Sequence, residues 1–303
     1  FVSAVLDKSS CIGVRGHITS KYLSNLGFKE GKDHIAIGCP SMFSLGSDIN
    51  IKTLDLNINS KVAINASIKT KEAVIKKIIN FSDKFYSSYF IPQDYDELFL
   101  IYLGGPTINT KSEYFPSSYA SKFYAEGNVK FFIGAKEWFE FMKNMDFSIG
   151  TRLHGNIAAT LGGTPNLTIA IDSRMRELAE FHNLPYISEE EFSNLNSVDE
   201  ILDKFDFNSP KTVHKQNFEN FKNFLKVNNL QSIYDENQSN QSKFKKLMNN
   251  LNNENCIEPI NRLNMDKILK RLEFGINFRK NKFEVSKDNW ALYKKLKKSG
   301  IFN

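Results

Sequence analysis

Seven short apolar runs, separated by helix-length amphipathic stretches, limit this chain more than any other feature of its sequence. The runs are "CIGV" (11–14), "HIAIG" (34–38), "KVAINAS" (61–67), "LFLIYLGG" (98–105), "VKFFIG" (129–134), "DFSIG" (146–150) and "NLTIAI" (166–171). Between them, 16–26, 71–90, 117–125, 135–145, 152–161 and 173–183 have helical spacing. Strands covered on both faces read as near-continuous apolar runs, and their alternation with helices specifies a parallel sheet. The expected fold class is α/β. Residues 61–206 hold enough elements for a complete doubly wound domain, whereas 1–60 supply two strands and a crossover, the remainder of another domain. Beyond 207 no strand is expected. "NFENFKNFLKVNNLQSIY" (217–234) is spaced as a helix, "DENQSNQS" (235–242) reads as a polar linker, and 243–303 form a Lys-rich helical extension. The opening "FVSAVLDKSS" has neither an initiator Met nor a signal pattern and reads as the interior of a domain.

With 41% hydrophobic and 13% aromatic residues in 303, the chain can bury a sizeable core. No run of about 18 apolar residues is present to span a bilayer. Three cysteines, Cys11, Cys39 and Cys256, lack C-x-x-C spacing, which favours a reducing, cytoplasmic home over a disulfide framework. Charge is uneven. Residues 211–303 hold 19 Lys and Arg against 9 Asp and Glu, a net +10, leaving −4 for residues 1–210. No nucleic-acid reader motif accompanies that charge, so nucleic acid is not expected; the tail reads either as a solvated basic helix face or as a segment that binds an anionic membrane surface.

Ligands of doubly wound sheets bind at the carboxyl ends of strands, where loops and helix amino-termini collect. That rim collects "NAS" (65–67), "GGP" (104–106), "GAKEW" (134–138) and "GTRLHG" (150–155), and with them Asn65, Gly104, Gly105, Gly150, Arg152, His154 and Gly155. Taken singly the glycines also read as simple turn residues, and it is their coincidence on one rim that points to a ligand. Arg152 and His154 flank the positive end of a helix that Thr151 would cap, with Leu153, Ile157 and Leu161 as its sheet-facing spine. A cation there is unfavourable unless an anion is bound; Arg offers a planar fork, and His a group titrating near neutrality. The bland alternative pairs Arg152 with Asp146 or Asp172 and leaves His154 to pack. "DYDEL" (94–98) contains the D-x-D of some metal-using transferases, but preceding "LFLIYL" it belongs on the opposite rim. Cys11 and Cys39 read as small buried hydrophobes. His17 is a further candidate, His34, His182 and His214 are structural or exposed, and Trp138 and Phe139 pack a helix on the sheet.

"DFSIGTRLHG" followed by "GGTPNLTIAIDSRMRELAEFHNLP", with "CIGVRGHITSKYLSNLGF" and "HIAIGCPSMF" upstream, resembles the polysaccharide pyruvyl transferase family across residues 1–206. The resemblance implies two Rossmann-like domains of glycosyltransferase B type, the amino-terminal one incomplete here. It also implies a reaction that moves the enolpyruvyl-derived group of phosphoenolpyruvate onto sugar hydroxyls as a ketal, releasing phosphate, without a metal or other cofactor. Arg152 and Arg15 would hold the donor's carboxylate and phosphate with Gly150, Gly155, Gly104 and Gly105 around them, and His154 would protonate the enol methylene. The family commonly has a Lys after the next strand where this chain has "DSRMRE", which makes Asp172, Ser173 and Arg174 secondary contacts. The implied acceptor is a saccharide on a nucleotide or lipid carrier, met in the cytoplasm or at the inner membrane face. Two rival readings stay open: a glycosyltransferase using a sugar nucleotide, and a noncatalytic component of a polysaccharide assembly complex.

Overall fold

A computed structural model describes residues 1–234 and 256–278. The chain begins with helix α1 (Val2–Leu6), strand β1 (Ile12–Val14), helix α2 (His17–Asn25) and strand β2 (His34–Ala36), followed by a 3-10 turn, Pro40–Phe43. β1 and β2 pair in parallel as a two-stranded sheet of their own. Then come β3 (Lys61–Asn65), α3 (Glu72–Ser82), β4 (Ser87–Phe90), α4 (Tyr95–Leu103), α5 (Lys122–Ala125), β5 (Phe131–Phe132), α6 (Ala135–Lys143), β6 (Phe147–Gly150) and α7 (Leu153–Leu161). β7 (Asn166–Ala170), α8 (Ser173–Phe181), β8 (Tyr186–Ser188), α9 (Glu189–Ser193), α10 (Asp199–Leu202), α11 (Pro210–Val227) and β9 (Cys256–Ile257) complete the set, with a last helical stretch at 265–278.

The central sheet is parallel and runs β4-β3-β6-β7-β8. Counted by first appearance, that is the 2-1-3-4-5 order of doubly wound folds, whose topological switch point, and hence ligand crevice, lies between the first and third strands. Here those are β3 and β6, paired from Val62↔Phe147 to Asn65↔Gly150. Val62, Ile64, Phe147, Ile149, Leu167 and Ile169 from these strands are buried in the largest core cluster, each such side chain contributing about 1.5–3 kcal/mol.

Several expectations need correction. "LFLIYL" is helix α4 and not a strand: Asp94 and Glu97 form a capping box at its start, and Gly104 at φ 78° ends it in the left-handed conformation. The helix expected over 71–90 stops at Ser82, and "SSYF" forms β4 beside β3. "VKFFIG" joins the edge of the parallel sheet only through a single bridge from Val129 to Phe90 of β4, and its Phe131–Phe132 turns away to pair antiparallel with β9, a strand beyond residue 207 where none was expected. The helix expected over 117–125 shortens to α5.

Leu153, Ile157 and Leu161 are buried in a cluster that joins Ala170 of β7 to Met42 and Phe43 of the 3-10 turn and to Met175 and Leu178 of α8. Ala158 and Ala159 of the same helix cluster with Ala63 of β3. Trp138 and Phe139 border that cluster as expected. The amino-terminal segment docks through α2: Thr19 donates from its backbone N and its hydroxyl to Glu177 of α8, at 2.6 and 2.9 Å. The linker 235–242 and most of the Lys-rich tail lie outside the described residues.

Candidate active site

The switch point is built around Asn65, the last residue of β3. Its backbone carbonyl accepts from Thr151 N at 3.1 Å, its side-chain carbonyl accepts from Arg152 N at 2.8 Å, and its amide donates to Asn156 Oδ1 at 3.1 Å. Asn156 in turn donates to the Gly150 carbonyl at 3.0 Å. Both asparagines are buried, so this closed set satisfies polar groups that would otherwise be costly. Gly150 is required for steric reasons: a Cβ there would sit 1.8 Å from the Asn65 carbonyl oxygen.

Thr151 does not cap α7. Its hydroxyl accepts from Ser67 N at 3.0 Å and shares a 2.7 Å hydrogen bond with Thr70, tying the β3–α3 loop to the turn, while Arg152 occupies the cap position.

Arg152 pairs with neither Asp146 nor Asp172. Asp146 accepts from Lys61 N at 2.7 Å, and Asp172 caps α8 by accepting from Met175 N at 2.7 Å. Its partner is Asp94, part of the D-x-D string expected on the opposite rim. Because β4 precedes it and α4 follows, Asp94 stands at the carboxyl end of the sheet. Arg152 Nη1 donates to Asp94 Oδ1 at 3.1 Å, Nη2 donates to Oδ2, and Nε donates to the Ala66 carbonyl at 3.1 Å. Glu97 Oε2 lies 3.6 Å from Nη2 and accepts from Gln93 N and Asp94 N at 2.8 Å. Burial pushes the Glu97 carboxyl up to about 7, against the opposing pull of Arg152 and those two N–H groups. Glu97 Oε1 and Gln93 Nε2 are buried without a hydrogen-bond partner among the described residues.

His154, two residues on, is exposed at the first turn of α7. His154 and Ser41 both act on the Cys39 thiol. Burial raises its pKa, but the bonds from His154 and Ser41 together outweigh that and hold it below the ordinary thiol value. Cys39 is therefore more than a buried hydrophobe, and its backbone N is anchored to His182 Nε2 at 2.8 Å. Cys11 is buried, with its thiol raised by that burial and by Asp33, as expected of a packing residue. His34 is buried against Ser20 and Ser24, His182 against Cys39, and His214 against the Gly46 carbonyl.

The other candidates fall into two groups. Asp172, Ser173 and Arg174 stand at the carboxyl end of β7, on the same rim, with Asp172 and Arg174 paired at 3.9 Å. Arg15 follows β1, exposed and with no hydrogen bond or ion pair among the described residues, while His17 packs on Phe181 at 5.6 Å between ring centres. Gly155 faces Asn65 and Gln93 at the switch point. Gly104 and Gly105 do not belong to the rim: they close the far end of nine-residue α4, about 14 Å from Asp94 at 1.5 Å per residue. Asp94, Glu97, Asn156 and Cys39 were not selected from sequence. The D-x-x-E spacing of a capping box was the available signal for the first two.

No curated protein matches the sequence significantly. Among solved structures, a glycotransferase of kitacinnamycin overlaps 64% of this chain and 49% of its own at 10% identity, with a TM-score of 0.29. The glycosyltransferase SnogD from Streptomyces nogalater overlaps 69% and 59% at 13% identity, also with a TM-score of 0.29. The chain thus spans about half the length of the solved structures it matches. The model of one family, polysaccharide pyruvyl transferase, matches residues 1–173, a segment that ends just beyond the Arg152–His154 turn and covers more than half of the sequence. On that match, the chain belongs to the polysaccharide pyruvyl transferase family.

Proposed function

We propose that this protein transfers the enolpyruvyl-derived group of phosphoenolpyruvate to two hydroxyls of a saccharide, forming a ketal and releasing phosphate. The observation that carries the reading is the position of the family's Gly-x-Arg-x-His-Gly segment: Gly150, Arg152, His154 and Gly155 sit at the sheet's switch point. Arg152 supplies a fixed guanidinium fork for a carboxylate or phosphate, and Arg15 is a second cation with no protein partner among the described residues. His154 is the exposed acid for the enol methylene. Once that carbon is protonated, its neighbour becomes an oxocarbenium-like centre open to hydroxyl attack; general-acid help of this kind is worth roughly 10²- to 10⁴-fold.

The saccharide is carried on a nucleotide or a lipid, and the basic carboxy-terminal residues hold the enzyme against an anionic cytoplasmic membrane face. No helix among the described residues is long and apolar enough to cross a membrane. The test is to incubate the protein with phosphoenolpyruvate and a panel of methyl hexopyranosides, measuring phosphate release and product mass. A product heavier by one pyruvyl ketal supports the reading. Turnover of sugar nucleotides in its place would establish the glycosyltransferase alternative.

A further inference from the structure

We propose that Asp94 is a second catalytic residue of this site: a carboxylate parked on Arg152 until a donor anion takes its place, then free to accept the proton of the attacking hydroxyl. The proposal rests on the pyruvyl-transfer reading and supplies the base that reading lacks.

The fork of Arg152 has one bidentate edge to offer, because Nε is spent on the Ala66 carbonyl. Asp94 fills that edge with both oxygens. A carboxylate is also what the donor presents, so donor and Asp94 compete for the same two N–H groups. Asp94 is the partner able to leave. Its side chain is 47% exposed against 1% for Glu97, and it borders a surface cavity of about 280 Å³ lined by Ile68, Asp94, Tyr95, Asp96 and Glu97. Arg152 stays in place when Asp94 goes, held by Ala66, by Asn65 through its backbone N, and by Glu97 at 3.6 Å.

The chemistry balances with these groups alone. His154 gives a proton to the enol methylene. The first hydroxyl oxygen bonds to the cationic carbon while its O–H breaks and the proton passes to Asp94. The bond from that carbon to the phosphate oxygen then breaks, the second hydroxyl bonds in its place, and its proton leaves on the phosphate. The proton taken by Asp94 replaces the one His154 gave, so donor and two hydroxyls become ketal and hydrogen phosphate. The base is unmasked only when donor is bound, which makes the order donor first.

Asp94→Asn keeps a side chain favoured at helix amino-termini and removes the charge. With phosphoenolpyruvate in calorimetry, the variant is expected to bind about tenfold more tightly than wild type, since its competitor is weakened. On the methyl hexopyranoside panel, its phosphate release is expected to fall roughly 10²-fold or more. Asp94→Glu, which keeps a carboxylate, should retain more turnover than Asp94→Asn. Weaker or unchanged donor binding in Asp94→Asn overturns the proposal, as does equal turnover loss in the two variants. If wild type binds no phosphoenolpyruvate, the pyruvyl-transfer reading fails, and inorganic phosphate becomes the probe: tighter phosphate binding by Asp94→Asn still supports release of Arg152, and equal or weaker binding overturns it. If the panel gives no turnover, the binding comparison decides alone.

Discussion

Arg152 cannot be exchanged for Lys without loss, because an ammonium on a flexible stem cannot serve the Ala66 carbonyl and a carboxylate fork together. Arg152→Lys should keep the melting temperature near wild type and lose most phosphate release; near-normal turnover would refute a fork-dependent role. His154 calls for a different signature. As an exposed group with no part in the Asn65–Asn156 network, His154→Gln should leave donor affinity intact and abolish turnover, and a loss of affinity would make it a donor contact only. At Cys39, the bonds from His154 and Ser41 hold the thiol below its ordinary value, whereas burial holds Cys11 above. Alkylation by iodoacetamide at pH 7.5, followed by peptide mass spectrometry, should therefore modify Cys39 well before Cys11. The reverse order would show that the Cys39 thiol is not lowered.

Two helix ends hold titrating groups that oppose each other. Glu97, at the start of α4, is raised to about 7 from an ordinary 4.5, so its contribution to stability is complete below pH 4.5 and is lost as pH rises through 7. His182, the carboxyl cap of α8, is lowered by burial to about 3 from 6.5, so its contribution is complete above 6.5 and is lost as pH falls. Between pH 7 and 5 each amounts to about 2 kcal/mol, with opposite sign. Wild type should change little in that window through these two groups. Glu97→Gln removes one slope, so its melting temperature should drop more on acidification than that of wild type; a parallel response would show that Glu97 is not raised. Legibility from sequence also varied by element. β3, β6 and β7 were readable because both faces are covered and the runs are nearly all apolar. α4 was misread for the same reason: "LFLIYL" is apolar all round, so its period is invisible, and only its capping box and Gly104 distinguish it from a strand. β4 was hidden by the two serines of "SSYF", and β8, at three residues, was too short to show alternation. Reading α4 as a strand puts Asp94 on the opposite rim. The place of Arg152 and His154 at a strand-to-helix turn is legible in the sequence, and the carboxylates beside Arg152 are not.

Taken whole, the molecule uses part of its tail as structure. β9 covers β5, Arg271 donates to the Glu258 carbonyl at 2.7 Å and stacks over Tyr102, and Phe274 and Phe278 lie against Tyr102 and Phe99 of α4. Removing everything after 242 would therefore disturb the fold as well as the charge. Removing only 279–303 takes away eight Lys and Arg against two Asp and Glu, with each basic residue near an anionic surface worth about 1 kcal/mol. In flotation at low salt, full-length protein should bind anionic vesicles and float less as salt rises, while the 279–303 deletion stays unbound. Equal flotation of the two would remove the membrane role.

The pairing of β3 with β6 also bears on how the chain reaches this state. Asn65 and Arg152 meet across 87 positions, whereas β7 and β8 pair at Thr168↔Tyr186 and β3 and β4 at Val62↔Ser88. Loop-closure entropy grows with the logarithm of the span, so a fourfold longer loop costs about 1.2 kcal/mol more, and long-range parallel pairing is slow. The two halves of the sheet are expected to assemble locally, with the seam between them as the last join. Arg152 meets Asn65, Ala66 and Asp94 only across that seam, so if it is the anion site proposed above, a refolding chain is expected to bind anions only once the seam has closed. Anion binding, followed in time after dilution from denaturant, reports completion of the native sheet rather than its beginnings.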